Sequence, residues 1–331
     1  MSRVLSDLNA RSRFALEVKG LTKVFKRRRK EPLTAVDSLD LTIEPGSTIG
    51  LLGPNGAGKT TAIKCILGLV RPTAGQVLIW GQDPTAHYGR AIQHVSAVLE
   101  GARNIYWRMT PRENARLFAG LHGLDYRQHR DYIEGLLERF GLQEKADEPV
   151  LNLSTGMKQK VAVVCALAKQ TRLVFLDEPT LGLDIETSLE LRSVLREMAV
   201  EGDRAIIISS HDMDVIQDVC ERVVIIKDGG VIADDRVDNL LALFRTKAYR
   251  LVLSDGLPEA VRQRLAAVVP SMEIGMRGQQ TELLFTLDAP DELYQVIDLI
   301  REGGSLIDSI AQKEPDLEDA FLRLIRDGDA Q

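Results

Sequence analysis

Apolar runs rich in valine, leucine and isoleucine alternate with stretches of helical periodicity from Phe14 to about Asn239. This alternation is typical of an α/β sheet covered by helices. The run from Thr48 to Leu52 predicts a strand, and the segment from Thr60 to Leu69 predicts the helix that follows it. Two more continuous apolar runs, 172–177 and 205–210, predict strands that are buried on both faces, as in a parallel sheet.

The pattern changes near Lys247, where shorter alternating segments begin. They predict a strand, a helix, two strands, a helix, a strand and a last helix with one apolar stripe, over 248–253, 258–268, 272–276, 281–287, 291–302, 306–310 and 317–325. This βαββαβ order with an added helix predicts a small α+β ferredoxin-like domain. We therefore expect an α/β domain over 13–240 and the smaller domain over 247–331, preceded by a mobile polar tail over 1–12.

Length and composition favour a globular protein. At 331 residues the chain exceeds a typical single core, and its net charge of −6 gives no electrostatic case for nucleic-acid binding. The longest apolar run, 161–168, is far shorter than the roughly 18 residues of a membrane span, and the amino terminus lacks the apolar core of a signal peptide. The basic cluster 27–30 predicts a solvated hairpin loop, with contact to anionic lipid as the alternative.

The three cysteines, Cys65, Cys165 and Cys220, lie inside apolar segments and have no metal-binding spacing. We expect them to be reduced, packed thiols of the kind found in a cytosol.

One octet carries the strongest chemical signal. It matches the pattern G-x-x-x-x-G-K-[ST] between a predicted strand and a predicted helix, and it reads Gly53, Pro54, Asn55, Gly56, Ala57, Gly58, Lys59, Thr60, followed by Thr61. Glycine lets the backbone approach phosphate oxygens, and a helix N-terminus attracts anions. Lys59 is expected to reach the β- and γ-phosphates and the Thr60 hydroxyl to bind Mg²⁺. The octet predicts a nucleoside triphosphate site, against the alternative of a glycine-rich turn before a buried helix.

Polar residues follow two other predicted strands, where doubly wound folds carry their chemistry. Asp177 would hold Mg²⁺, and Glu178 would orient the attacking water or accept its proton. His211 follows the run 205–210 and could donate a hydrogen bond to a γ-phosphate. Ser154 is a natural N-cap of the helical stretch behind it. The local alternatives are an acidic turn, a polar loop histidine and an ordinary helix cap.

In order and spacing, these motifs resemble the ATP-binding subunit of ABC transporters over roughly residues 14–240. The octet is similar to the Walker A motif of that family, and Leu173 to Glu178 is similar to Walker B. Leu153 to Met157 is similar to the family signature, Leu181 to Asp184 to the D-loop, and His211 to the switch histidine. The resemblance implies a P-loop NTPase fold with a helical subdomain, and binding and hydrolysis of ATP with Mg²⁺.

The resemblance also implies partners. In this family two ATP-binding subunits pair head to tail, and each signature segment, here Ser154 and Gly156, serves the nucleotide bound by the other subunit. A homodimer is therefore expected, beside an integral membrane permease subunit at the cytoplasmic face of the inner membrane. The aromatic segment 104–109, with Tyr106 and Trp107, corresponds to the part that receives the permease. A local core is the alternative for these rings.

Three features, at four positions, depart from the commonest family pattern. Thr155 and Met157 replace a glycine and a glutamine in the signature, a variation similar to the bacterial branch that exports drugs, antibiotics, polysaccharides or lipids. Glu100 stands at the Q-loop position. Phe25 stands where a tyrosine stacks on adenine, with a core phenylalanine as its alternative.

The function expected from these observations is the ATPase subunit of a bacterial ABC exporter. One alternative is a soluble ABC ATPase acting on the ribosome or on DNA. Those types carry two ATP-binding units or a long coiled coil, and neither feature is present in the sequence. The other alternative makes residues 247–331 a sugar-binding module of a polysaccharide exporter, for which an all-β pattern would be expected.

Overall fold

The structure is a computed structural model, and it describes residues 13–26, 31–99, 105–202, 204–243, 247–269, 272–277, 280–287 and 292–313. The expected tail, the basic cluster 27–30, Glu100 and the last predicted helix, 317–325, lie outside the described residues. The chain divides into two compact units, one ending at Val237 and the other beginning at Asp238. Across the described ranges, no helix is both long enough and apolar enough to cross a bilayer.

The first unit contains two sheets. Its strands are β1 (Leu16–Phe25), β2 (Leu33–Ile43), β3 (Thr48–Leu52), β4 (Ala74–Ile79), β5 (Val95–Val98), β6 (Leu173–Asp177), β7 (Ala205–Ser210), β8 (Arg222–Lys227) and β9 (Gly230–Arg236). An antiparallel sheet has the order β2-β1-β4, and a larger sheet has the order β5-β6-β7-β3-β8-β9. The larger sheet is parallel except for β9, which pairs antiparallel with β8.

Helices cover these sheets and form a helical layer between β5 and β6 in the chain. They are α1 (Lys59–Ile66), α2 (Tyr88–Ile92), α3 (Pro111–Leu121), α4 (Tyr126–Arg139), α5 (Thr155–Leu167), α6 (Ile185–Glu201) and α7 (Met213–Val219). A further helix, α8 (Val237–Leu243), begins at the last residue of the first unit and otherwise belongs to the second. Two short 3-10 helices span Gln143–Lys145 and Val150–Asn152. The helix α3 starts with a capping box between Thr110 and Glu113.

The core of the first unit joins both sheets to α1. Leu16 and Ile43 of the antiparallel sheet, Ile63 of α1 and Phe175 of β6 all belong to one buried cluster. The continuous apolar runs that predicted β3, β6 and β7 are buried along their whole length. Because β6, β7 and β3 are neighbours and parallel, the chain leaves all three at the same edge of the sheet.

The second unit contains β10 (Lys247–Leu253), α9 (Glu259–Val268), β11 (Glu273–Arg277), β12 (Gln280–Leu287), α10 (Glu292–Glu302) and β13 (Ile307–Lys313). Its sheet has the order β11-β12-β10-β13 and is antiparallel throughout. This is the split β-α-β arrangement, and its element order is the predicted one as far as Lys313. Its own buried cluster includes Leu251, Leu265, Phe285 and Ile300.

All three cysteines are free and buried. Burial raises the pKa of the thiols of Cys165 and Cys220 above the usual range, so both stay protonated and act as small apolar side chains. This agrees with the packed thiols expected from the sequence.

The packing of α5 on α6 gives a stability prediction. A Cβ at Gly156 would lie 2.5 Å from Thr187 Cγ2, and the Thr187 hydroxyl donates to Asp184 Oδ2 at 2.9 Å, which restricts rotation of that side chain. We expect Gly156→Ala to lower the free energy of unfolding by about 1 to 3 kcal/mol through overpacking. The clash outweighs the gain of up to about 1 kcal/mol that alanine brings to a helix.

Urea unfolding of Gly156→Ala with and without Thr187→Ser checks this expectation. Serine removes the clashing methyl group and keeps the hydroxyl, so the second substitution should restore most of the loss, while Thr187→Ser alone serves as the control. An equal loss in both backgrounds would show that the contact with Thr187 is not the cause.

Candidate functional site

A cleft of about 500 Å³ opens at the edge of the sheet where β3 and β6 end. It is lined by Phe25, Leu33, Thr34, Ala35, Pro54, Asn55, Gly56, Ala57, Gly58, Lys59, Thr60, Thr61, Glu178 and Leu181. The structure thus brings together the predicted phosphate loop, the aromatic Phe25 and the carboxylate of Glu178. Phe25 is partly exposed, and Lys23 Nζ lies 4.9 Å from the centre of its ring.

The loop between β3 and α1 needs glycine at two positions because the backbone of neighbouring strands is very close. A Cβ at Gly53 would lie 2.2 Å from the carbonyl oxygen of Ile226, and one at Gly58 would lie 2.2 Å from that of Ala35. Gly58 also has a φ of 107° and is the N-cap of α1 without a side-chain cap. The first N–H groups of α1 therefore have no side-chain acceptor and suit a phosphate.

Lys59 is buried at the bottom of this loop. Its Nζ donates to the carbonyl oxygen of Gly53 at 2.6 Å and lies 3.5 Å from Glu178 Oε1. An ammonium group with so little solvent interacts strongly with nearby negative charge. The lysine thus stands between the phosphate loop and the carboxylate at the end of β6.

Asp177 is fully buried at the last position of β6. Its Oδ1 accepts hydrogen bonds from the Thr60 hydroxyl at 3.2 Å and from the Ser209 hydroxyl. Its Oδ2 is buried without a hydrogen-bond partner. A hydroxyl and a carboxylate oxygen are ligands that Mg²⁺ prefers, so the unpaired oxygen and the Thr60 hydroxyl fit such an ion.

Glu178 has a φ of 49°, an uncommon conformation for a residue other than glycine. Its N–H donates to the carbonyl oxygen of Ser209 at 3.0 Å, which supports this conformation. The strained turn directs the buried carboxylate into the cleft, where Oε1 faces Lys59 and Oε2 lies 2.9 Å from His211 Nδ1. Lys59, Glu178 and His211, far apart in the sequence, are thus in one chain of contacts.

Ser209 is a site residue that the sequence analysis missed. Its hydroxyl donates to Asp177 Oδ1, and its backbone supports Glu178. A serine inside an apolar strand directly before the predicted histidine was the available signal, because a buried hydroxyl needs a polar partner.

The predicted signature residues are not among those that line the cleft. Ser154 is exposed, and its hydroxyl accepts a hydrogen bond from the Met157 N–H at 3.2 Å as the N-cap of α5. Gly156 is buried, and close packing against Thr187 explains its lack of a side chain. Gly156 was expected to serve the nucleotide of the other subunit, and packing gives a second, local reason for a glycine at this position.

The aromatic segment before α3 is ordered by a buried amide. Asn114 Oδ1 accepts from the Tyr106 N–H at 2.8 Å, and Asn114 Nδ2 donates to the Tyr106 carbonyl at 3.0 Å. The rings of Tyr106 and Trp107 are nevertheless 55% and 49% exposed. Lys158 of α5 lies over the Trp107 ring, with Nζ 5.3 Å from the ring centre.

A family model described as "ABC transporter" matches residues 36–181. The ATP-binding protein NatA of Bacillus subtilis is 34% identical over 70% of this chain and 94% of its own length. The bacitracin transport ATP-binding protein BcrA of Bacillus licheniformis is 30% identical over 93% of this chain and 96% of its own. The methionine import ATP-binding protein MetN of Photobacterium profundum is 32% identical over 71% of this chain and 69% of its own.

Solved structures agree with these relatives. The ATP-binding cassette MJ0796, in a dimeric post-hydrolysis state bound to ADP and Pi, superposes with a TM-score of 0.59 at 25% identity over 67% of this chain and 98% of that one. The chain therefore belongs to the ABC transporter family as an ATP-binding subunit with the P-loop NTPase fold. Hydrolysis of ATP is the general activity of this family, so the chain is an ABC ATPase.

The buried position of Lys59 gives a binding prediction. Lys59→Ala should raise the Kd for ATP about 10- to 100-fold, because it removes a charge-assisted hydrogen bond of about 1.5 to 3 kcal/mol and leaves the Glu178 carboxylate to repel phosphate. Fluorescence titration with a nucleotide analogue measures the change. Lys64→Ala, in the same helix but not lining the cleft, is the control, and an unchanged Kd in Lys59→Ala would refute the contact with phosphate.

Proposed function

We propose that this chain is the ATPase subunit of a bacterial ABC exporter that energises a separate membrane permease from the cytoplasmic face of the inner membrane. The contact chain from the buried Lys59 and Glu178 to the exposed His211 at the edge of the phosphate loop carries the ATPase part of the proposal. The export part is supported by the match to BcrA, which spans 93% of the chain and so extends into the second unit. The match to the import protein MetN covers 71%.

In the proposed reaction, the phosphates of ATP lie on the N–H groups of the loop and of α1. Lys59 then turns from Glu178 towards the β- and γ-phosphates, which frees the carboxylate. Glu178 orients the attacking water and accepts its proton, and His211 stabilises the charge that develops on the γ-phosphate. Thr60 and Asp177 would hold Mg²⁺, which when bound neutralises phosphate oxygens.

Two copies of the chain are proposed to complete two sites. MJ0796 is dimeric, and here Ser154 is exposed but is not among the residues that line the cleft of its own chain. Beside the cleft, Leu181, Ile185 and Leu189 are 47%, 82% and 54% exposed, an apolar surface that suits a subunit interface. In the dimer, Ser154 and Gly156 would serve the nucleotide of the partner subunit, and Phe25 would stack on adenine in its own.

The permease is proposed to dock on the aromatic segment. Exposed Tyr and Trp rings on an ordered backbone are typical of interface anchors, and Asn114 supplies that order. Lys158 connects Trp107 to the helix that begins at Ser154. Docking of the permease at Trp107 would thus affect the signature segment through the contact with Lys158.

The domain over 247–331 is proposed to have an accessory or dimerisation role, beside an ATP-binding domain over 13–240. Its described part combines helices and strands in alternation, which differs from the all-β module expected of a sugar-binding domain. A net charge of −6 remains unfavourable for the ribosome- or DNA-acting alternative.

Glu178→Gln tests the catalytic assignment. Glutamine keeps the shape of the side chain but cannot accept a proton, so turnover should fall about 10²- to 10⁴-fold while ATP binding persists. Light scattering with ATP and Mg²⁺ should then detect a trapped dimer. Glu221→Gln, an exposed residue before β8 and so at the opposite edge of the sheet, is the control. Undiminished steady-state ATPase in Glu178→Gln would refute its role as the base.

Replacing both Tyr106 and Trp107 with alanine tests the docking surface. Because both rings are about half exposed, the double variant should keep its melting temperature and ATP affinity but lose co-purification with the permease and stimulation by it. Tyr88→Ala removes an exposed ring elsewhere in the first unit and serves as the control. A much lower melting temperature with permease binding retained would assign these rings to the core.

A further inference from the structure

The helix α6 is fixed to the signature helix α5 at its first turns. Asp184 is the N-cap of α6 and accepts the Thr187 N–H at 2.9 Å, and these hydrogen bonds from Thr187 lower the pKa of the Asp184 carboxyl. Thr187 packs against Gly156 of α5. Lys160 of α5 donates to Glu190 at 2.5 Å. The two helices are thus joined by a close contact and an ion pair.

The next part of α6 is fixed to the segment that follows His211. Arg192 Nη2 donates to Asp212 Oδ2 at 2.9 Å, and Arg192 Nη1 donates to Asp218 Oδ2 at 3.3 Å. The Arg192 side chain is only 13% exposed, so its ion pairs are less screened than surface pairs. Asp212 is the residue directly after His211.

Asp212 in turn fixes the backbone beside His211. Its Oδ1 caps α7 by accepting the Asp214 N–H at 3.0 Å, and its own N–H donates to Ser210 Oγ at 2.9 Å. The backbone N–H and the side chain of the residue directly after His211 are therefore both held by hydrogen bonds. The His211 ring lies 2.9 Å from Glu178 at the other end of this arrangement.

We propose that Arg192 is a positioning residue for ATP hydrolysis, which holds Asp212 and thereby keeps the His211 ring in contact with Glu178. The inference rests on the roles proposed above for His211 and Glu178. It also makes α6 the physical connection between the signature helix and the histidine of the same chain, because Glu190 of α6 accepts from Lys160 of α5 and Arg192 of α6 donates to Asp212.

The chain offers a matched control in Arg196. It lies one turn further along α6 and binds Asp218, with Nε 2.6 Å from the Asp218 carbonyl oxygen and Nη2 3.1 Å from Oδ1. It has no contact with Asp212 among the described hydrogen bonds and ion pairs. Arg196→Met therefore weakens the docking of α6 on α7 without touching the residue next to His211.

The test compares Arg192→Met, Arg192→Lys and Arg196→Met in the full-length chain. Arg192→Met should lower kcat for ATP about tenfold, the size of loss that follows a small misplacement of a reacting group, with KM, ATP affinity and melting temperature close to those of Arg196→Met. Arg192→Lys, which keeps the charge, should recover part of the loss. The single variant Asp212→Asn is measured as well, and the double variant Arg192→Met/Asp212→Asn should have a kcat no lower than that of Arg192→Met, because Arg192→Met already removes the ion pair with Asp212.

Carbethoxylation of His211, mapped by mass spectrometry with the exposed His87 as reference, gives a readout independent of activity. His211 should react faster in Arg192→Met than in Arg196→Met, because its ring leaves Glu178. The inference is overturned if the two variants have equal kcat, or if kcat falls only together with melting temperature and ATP affinity. Glu178→Gln and His211→Ala separate this failure from failure of the proposed function, since full activity in those variants would refute the underlying roles themselves.

Discussion

Two adjacent buried carboxylates at the end of β6 are the constraint on which the site depends. Asp177 is fully buried and Glu178 is nearly so, and burying a charge is costly unless it is paired. Lys59 compensates one of them, and hydroxyl groups and the His211 ring provide hydrogen bonds. Asp177 Oδ2 is left without a partner. The two carboxylates thus give this edge of the sheet a negative charge that favours binding of a cation together with a phosphate ligand.

The parallel pairing of β6, β7 and β3 creates this constraint. The register places Asp177 beside Ser209 and Leu52 beside Ser210, so the phosphate loop, the carboxylates and the histidine leave the sheet together. Each strand is an apolar run that is buried on both faces. This burial fixes the register of the strand against its neighbours, and therefore the position of its last residue at the edge of the sheet. Small errors of register would separate Thr60, Asp177 and Ser209, which share one carboxylate oxygen.

The sequence predicted the strands, the order of elements and the residues at the strand ends because these features are local or periodic. The run from Val174 to Leu176 predicts a buried strand without any knowledge of its neighbours. The pairing of Lys59 with Glu178 could not be predicted, because it depends on a left-handed turn at a glutamate. The contact of Gly156 with Thr187 was also inaccessible, since it joins two helices whose approach is set by the whole core.

The Lys59–Glu178 contact also gives a physical reason to expect that nucleotide binding and the proposed catalysis are coupled in this chain. Before binding, the lysine and the carboxylate neutralise each other in a site with little solvent. When a phosphate group binds Lys59 in place of Glu178, the Glu178 carboxylate keeps only His211 as its described partner. With the base role proposed for Glu178, the carboxylate would then be able to accept a proton at the moment when the γ-phosphate is in place. In the proposed reaction, nucleotide binding would thereby release for catalysis the same carboxylate that Lys59 neutralises without nucleotide, and the position of His211 would determine where that carboxylate acts.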